Sequence, residues 1–168
     1  RSFNKNIFYP FGHYSSSNKT LQEFDSILYA GSLTKYFRNK ENEFNIKPYI
    51  KTSEKIDKKF NSILNNFNDK KKIGISWKSV LNIFGDLKSL ELNDFKKLFT
   101  QDRVFFNLQY DDNIEEISRF KEAGKSIFNF ENVDLFNDFD SLISILKNLD
   151  IFVTVSNSTA HFAGALGV

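Results

Sequence analysis

Residues 150–168 read DIFVTVSNSTAHFAGALGV, and the change of character inside this stretch decides the fold. An apolar run from Ile151 to Val155 stops at four small polar residues, Ser156, Asn157, Ser158 and Thr159. β-branched and aromatic residues in a near-continuous run suit a strand buried on both faces. Small residues at helical spacing follow, with His161 in the first turn. A strand, a short polar turn and a helix are therefore expected here, which is one step of a parallel α/β sheet.

The same alternation recurs upstream. KIGISW (72–77) reads as a strand, followed by the polar loop KSVLNIFGDLKS (78–89) and a helix in LNDFKKLFT (92–100). RVFFNLQY (103–110) is a second strand, and NIEEISRFKEAG (113–124) a helix stopped by Gly124, the residue type best suited to a left-handed C′ position. SIFNF (126–130) is a short third strand, and DFDSLISILKNL (138–149) a helix with Phe139, Leu142, Ile143, Leu146 and Leu149 on one side. IFVTVS is then the fourth strand. The expected class is α/β, a Rossmann-like parallel sheet with helices on both faces.

Before Ile73 the pattern is less regular. SEKIDKKFNSILNNF (53–67) places Ile56, Phe60, Ile63, Leu64 and Phe67 on one helical face. KPYIKTSE (47–54) is extended, because Pro48 disfavours helix at Lys47. FDSILYAGSLTKYFRN (24–39) reads as a strand, a glycine turn and a short helix with Ser32 as N-cap. Residues 5–20 hold a Pro-Phe-Gly turn, a Ser/Asn-rich loop and an isolated His13.

Composition narrows the function. Of 168 residues, 40% are hydrophobic and 26% charged, an ordinary globular balance. Twenty-three basic residues against 21 acidic ones give a net charge of +2, too even to imply a nucleic acid or an anionic membrane surface. The absence of cysteine excludes disulfides, thiolate metal sites and a cysteine nucleophile. No apolar run reaches membrane-spanning length. Neither G-x-G-x-x-G nor G-x-x-x-x-G-K-[ST] occurs, which argues against an NAD fingerprint and a P-loop. No His, Asp or Glu spacing suggests a metal. A chain that starts at Arg1 and lacks methionine reads as an internal piece of a longer protein.

Ligands of open parallel sheets bind at the carboxyl ends of the strands. After the first strand come Ser76, Trp77, Lys78 and Ser79, with Lys88 closing the loop; after the second come Gln109, Tyr110, Asp111 and Asp112, then Glu115 and Glu116. Ser156 to Thr159 follow the fourth. A helix starting at Ser158 or Thr159 leaves backbone N–H groups unpaired, and these donors with the helix dipole favour an anion. Two readings stand here. One is a phosphate cradle to which His161 donates; the other is simple capping by Ser156 or Asn157 with His161 packed away. The remaining residues also divide. Lys78 and Lys88 are either rim charges or ordinary surface lysines, and Gly74 either allows close packing or is a tolerated small residue. Glu115 and Glu116 suit a helix dipole without any ligand, and Asp111 and Asp112 suit a turn.

Taken in order, KIGISWKS, GDLKSLEL, FFNLQYDD and the stretch from Asp134 to Gly167 resemble the C-terminal half of heptosyltransferase-like glycosyltransferases of family nine, especially the form attached to tetratricopeptide repeats. The resemblance runs from about Asp25 and is strongest from Ile73. It implies a GT-B fold with residues 1–52 as the end of an N-terminal domain plus connecting region. Residues 53–168 would then be a nucleotide-sugar-binding domain, incomplete at its C-terminus. Ser76, Lys78, Ser79, Lys88, Ser156, Asn157, Ser158, Thr159 and His161 would meet the donor diphosphate and sugar. Gln109, Tyr110, Glu115 and Leu135 would meet the nucleoside. The implied reaction transfers a sugar with inversion to a hydroxyl of a glycan or protein acceptor, with no cofactor and no metal, in the cytoplasm or peripheral to the inner membrane. The family often has Asp-Thr-Gly where this chain has Ser156-Asn157-Ser158, which leaves the donor sugar open. The family's general base lies in the N-terminal domain, so the piece by itself is expected to be inactive. A non-catalytic scaffold domain, or a GT-B enzyme such as a nucleotide-sugar epimerase, are the competing readings.

Overall fold

Three parallel strands carry the fold in this computed structural model, which describes residues 30–43, 47–80 and 85–168. The chain divides into two units, Arg1–Asn45 and Ile46–Val168. In the first, a 3-10 turn at Ala30–Ser32 leads into α1 (Thr34–Phe37), and a second 3-10 turn covers Glu41–Glu43. Ser32 thus closes the first turn, and the Leu33 carbonyl starts the helix by accepting from Tyr36 and Phe37. The expected strand at 24–29 and His13 lie outside the described residues.

The second unit begins seven residues before the boundary expected at position 53. Its opening residues belong to it by contact: Tyr49 N–H donates to the Ala165 carbonyl at 3.3 Å. The elements are α2 (Glu54–Leu64), β1 (Lys71–Ser76), α3 (Gly85–Lys88), a 3-10 helix (Leu92–Leu98), β2 (Arg103–Asn107), α4 (Ile114–Glu122), α5 (Phe139–Lys147), β3 (Ile151–Thr154) and α6 (Ser158–Leu166). The sheet order is β2-β1-β3, all parallel, with Ile73 opposite Phe105 on one side and Ile151 on the other.

Alternation along the strands divides the core between the two faces. Ile73, Ile75 and Trp77 join Phe105, Leu92, Ile117 and Phe120 beneath α4 and the 3-10 helix. Phe106 and Leu108 face the other way, onto Phe60 and Leu64 of α2 and Leu142, Ile145 and Leu146 of α5. Gly74 lies on this second face, and a Cβ there would stand 2.5 Å from Leu149 Cδ1. The glycine therefore serves close packing. α2 is tied to α5 by Asp57, whose carboxylate accepts from Ser144 Oγ (2.8 Å), Lys147 Nζ (2.5 Å) and Thr52 Oγ1.

Two expectations about the sheet are corrected. SIFNF makes one parallel bridge, Phe128 to Phe106, and no continuous strand. The chain leaves the sheet there because Phe130 turns onto the rings of Phe60 and Phe106, at 5.8 and 5.7 Å between centroids. Aromatic packing takes the place of further ladder bonds. IFVTV is also less buried than its composition suggests. Among the described residues β3 pairs only with β1, so it is an edge strand; Ile151 is 47% exposed and Phe152 to Thr154 half-buried.

No helix among the described residues is long and apolar enough to cross a membrane.

Candidate functional site

From β1 the chain moves to β2 on one side, and later reaches β3 on the other. Where strand order reverses in this way, the turns leaving the two neighbouring strands open a crevice. Here those turns are the one after Ser76 and the one after Thr154.

A buried polar chain joins them. Asn157 Nδ2 donates to Ser76 Oγ (2.9 Å), and Ser76 Oγ donates to Gln109 Oε1 (3.1 Å). The same Gln109 oxygen accepts from the N–H groups of Trp77 (2.9 Å) and Lys78 (2.8 Å). Gln109 N–H in turn donates to Asn107 Oδ1 (2.9 Å). Ser76, Asn107, Gln109 and Asn157 are all buried. Unpaired, such groups would cost about 1–3 kcal/mol each, so the chain fixes the carboxyl ends of β1 and β2 and the start of α6 as one unit.

The loop after β1 is closed by three further contacts. Glu116, in the first turn of α4, accepts from Lys78 Nζ (2.6 Å), Trp77 Nε1 (2.9 Å) and Leu92 N–H (2.7 Å). One carboxylate thus ties both ends of the loop to α4. Burial pushes its pKa up, but the bonds from Lys78, Leu92 and Trp77 outweigh this and hold it below the usual range. Ser89 Oγ accepts from Ser79 N–H (3.0 Å) and donates to the Gly85 carbonyl (2.8 Å). The Leu90 N–H donates to the Trp77 carbonyl at 2.8 Å.

At the start of α6, Asn157 is the N-cap: its Oδ1 accepts from Ala160 N–H at 3.1 Å. Capping therefore holds, through Asn157 rather than Ser156. His161 is not packed away; it is exposed in the first turn, as are Ser156 and Ser158 beside it. Among the described residues two buried side-chain oxygens lack any partner, Thr159 Oγ1 and Asp111 Oδ1. One follows β3 and the other β2, so both lie at the end of the sheet where ligands bind.

The residues expected at the diphosphate divide accordingly. Ser76 and Asn157 are bonded to each other, Lys78 is held by Glu116, and Ser79 offers its N–H to Ser89. Lys88 is exposed at the end of α3. Among those expected at the nucleoside, Gln109 and Leu135 line a cavity of about 450 Å³ between α4 and residues 129–135. Tyr110 packs its ring 5.8 Å from Phe136. Burial raises the pKa of its hydroxyl, against the lowering effect of a hydrogen bond with the Val80 backbone. Glu115 is exposed, and the glutamate turned to the loop is its neighbour Glu116. Sequence reasoning also passed over Asn107, Ser89 and Gly85. Asn107 had a visible signal, a carboxamide inside the otherwise apolar FFNL; Ser89 and Gly85 had none.

Fold and site together define an α/β protein with a Rossmann-like parallel sheet and a buried polar chain that joins the carboxyl ends of β1 and β2 to the start of α6. No family model matches the chain, and no solved structure matches it. It is similar to the protein FlbA of Caulobacter vibrioides, with 41% identity over 71 residues, 42% of this chain. The match spans 12% of the length of FlbA.

Proposed function

We propose that this chain binds the diphosphate of a nucleotide sugar at the start of α6. In the full protein that sugar passes to an acceptor hydroxyl with inversion. The observation that carries this reading is the meeting of α6 with the β1 loop at the switch point, beside the buried, unpartnered hydroxyl of Thr159. The helix spans nine residues, so its dipole and its first N–H groups present a defined positive end. Exposed Ser158 and His161 add donors on the same turn, and Lys88 supplies a full charge.

Negative charge grows on the leaving diphosphate during sugar transfer. Fixed donors aimed at it are worth roughly 3–4 kcal/mol each. The bonds within the β1 loop refine their assignment. The N–H groups of Trp77, Lys78 and Ser79 already have acceptors, so the donors left for a diphosphate belong mainly to α6 and to Lys88.

Titration calorimetry of the full chain with UDP, ADP and inorganic pyrophosphate tests the reading. Binding of at least one nucleotide, competed by pyrophosphate and weakened tenfold or more by Lys88→Ala, is expected. A chain that binds none of the three is a scaffold and not a donor domain.

A further inference from the structure

Lys78 has a fixed backbone and a movable charge. Its N–H donates to Gln109 Oε1 at 2.8 Å, and its carbonyl accepts from Gln109 Nε2 and Asn157 Nδ2, both at 3.5 Å. Asn157 is the N-cap of α6, so the root of the Lys78 side chain is held against the turn that starts this helix. The ammonium points elsewhere. Its Nζ donates to Glu116 Oε2 at 2.6 Å, in the first turn of α4.

The three donors on Glu116 are not alike. Trp77 Nε1 (2.9 Å) belongs to a fully buried residue, and the Leu92 N–H (2.7 Å) to backbone at the start of the 3-10 helix. Neither can leave without moving the loop. Lys78 can: its charge sits on a flexible four-carbon stem, and its side chain is 33% exposed. An ion pair that water reaches contributes little to stability. Once Lys78 has left, Oε1 keeps the Leu92 N–H and Oε2 keeps Trp77 Nε1, so the carboxylate is not left bare.

The geometry points to an exchange: a diphosphate at the start of α6 draws the Lys78 ammonium away from Glu116 and takes its charge. The empty site keeps this cation neutralised, and the filled site gains it. This rests on the diphosphate reading above. A diphosphate offers several anionic oxygens to one ammonium, whereas Glu116 offers it one oxygen already shared with Trp77. Glu116 is then a competitor of the ligand as well as an anchor of the loop. The ligand moves the lysine only by as much as it favours the released form, so the competing carboxylate sets part of the affinity.

Calorimetry of the full chain with inorganic pyrophosphate, with Trp77 emission followed over the same titration, tests the exchange. In the wild type the emission should shift as pyrophosphate binds, because Trp77 and Lys78 share Glu116 Oε2. Lys78→Met should bind more weakly and lose this shift. Glu116→Gln removes the competing charge and should bind pyrophosphate about threefold tighter, the scale of a partly exposed ion pair. A residue that only held the loop would weaken binding when changed. The gain should vanish when Glu116→Gln is combined with Lys78→Met. A thermal melt checks that each variant is folded; should one melt below the assay temperature, the wild-type emission decides alone. Unmoved Trp77 emission in the saturated wild type, or a folded Glu116→Gln that binds no tighter, overturns the exchange and leaves the diphosphate reading in place. Failure of the wild type to bind pyrophosphate overturns both.

Discussion

Asn157 Nδ2 lies 2.9 Å from Ser76 Oγ, so the cap of α6 and the last residue of β1 share one hydrogen bond across 81 positions of sequence. The residue that starts the helix thereby also fixes where the helix points. Asn157→Ala should remove the cap, worth about 1 kcal/mol, and leave buried Ser76 without its donor, at about 1–2 kcal/mol more. Asn157→Asp keeps an acceptor for Ala160 N–H but cannot donate to Ser76. Urea denaturation should therefore rank the wild type first, Asn157→Asp second and Asn157→Ala last. Equal loss in both variants would mean that the cap carries nothing, and no loss in Asn157→Asp would mean that the Ser76 bond carries nothing.

Two glycines separate packing from loop geometry. A Cβ at Gly74 would stand 2.5 Å from Leu149 Cδ1 and 3.0 Å from Leu108 Cδ1 and Phe152 Cδ2, all tips of side chains that can rotate. Gly74→Ala should cost about 1–3 kcal/mol, the usual range for overpacking, and leave anion binding intact. A Cβ at Gly85 would overlap the Ser79 carbonyl oxygen, which is backbone and has no rotamer to change. Gly85→Ala should displace the loop, and so weaken pyrophosphate binding in the same calorimetric assay that Gly74→Ala leaves unmoved.

The contrast shows what the sequence makes legible. Local signals hold where they are self-contained. Asn157 before a small-residue helix and Gly124 at a helix end with φ of 76° do what their chemistry predicts. Signals that depend on neighbours distant in sequence do not. SIFNF has strand composition, but Phe128 alone pairs, because the rings of Phe60 and Phe106 draw Phe130 away. IFVTV has the composition of a central strand and lies at an edge. At the site, the parts legible in advance are the turn after β3 and the loop after β1. The choice between Glu115 and Glu116 is not legible, since adjacent residues on a helix point about 100° apart (3.6 residues per turn). Ile117 and Phe120 must first be seated on the sheet before that rotation is set.

Glu116 gives a prediction with its own reporter. Trp77 is the single tryptophan and donates to Glu116 Oε2, so its fluorescence reads the state of this carboxylate directly. Glu116→Ala should strand the Trp77 Nε1–H and the Leu92 N–H and release Lys78, costing about 2–4 kcal/mol in all. The Trp77 emission should shift while the far-UV spectrum stays native. Glu116→Gln still accepts from Leu92 N–H and should lose less. Unchanged emission in Glu116→Ala would show that the loop is held without this residue.

Acid should loosen the joint between α2 and α5. Lys147 Nζ, with Thr52 and Ser144, lowers the Asp57 pKa from 3.8 to about 2, and burial opposes them only in part. A folded pKa below the unfolded one means that the folded state holds its proton less tightly. The stabilisation is therefore complete above about pH 4 and is lost as pH falls toward 2. Solvent reaches the pair, with side-chain exposures of 45% for Lys147 and 20% for Asp57, so its value is screened to about 1 kcal/mol. Asp57→Asn should lower stability by that amount at pH 7 and by almost nothing at pH 2, so the two urea-midpoint curves converge as the solution is acidified. Parallel curves across that interval would place the acid sensitivity elsewhere. Lys147→Met offers a check from the other side: it should reproduce most of the loss at pH 7 while keeping the aliphatic stem packed on α2.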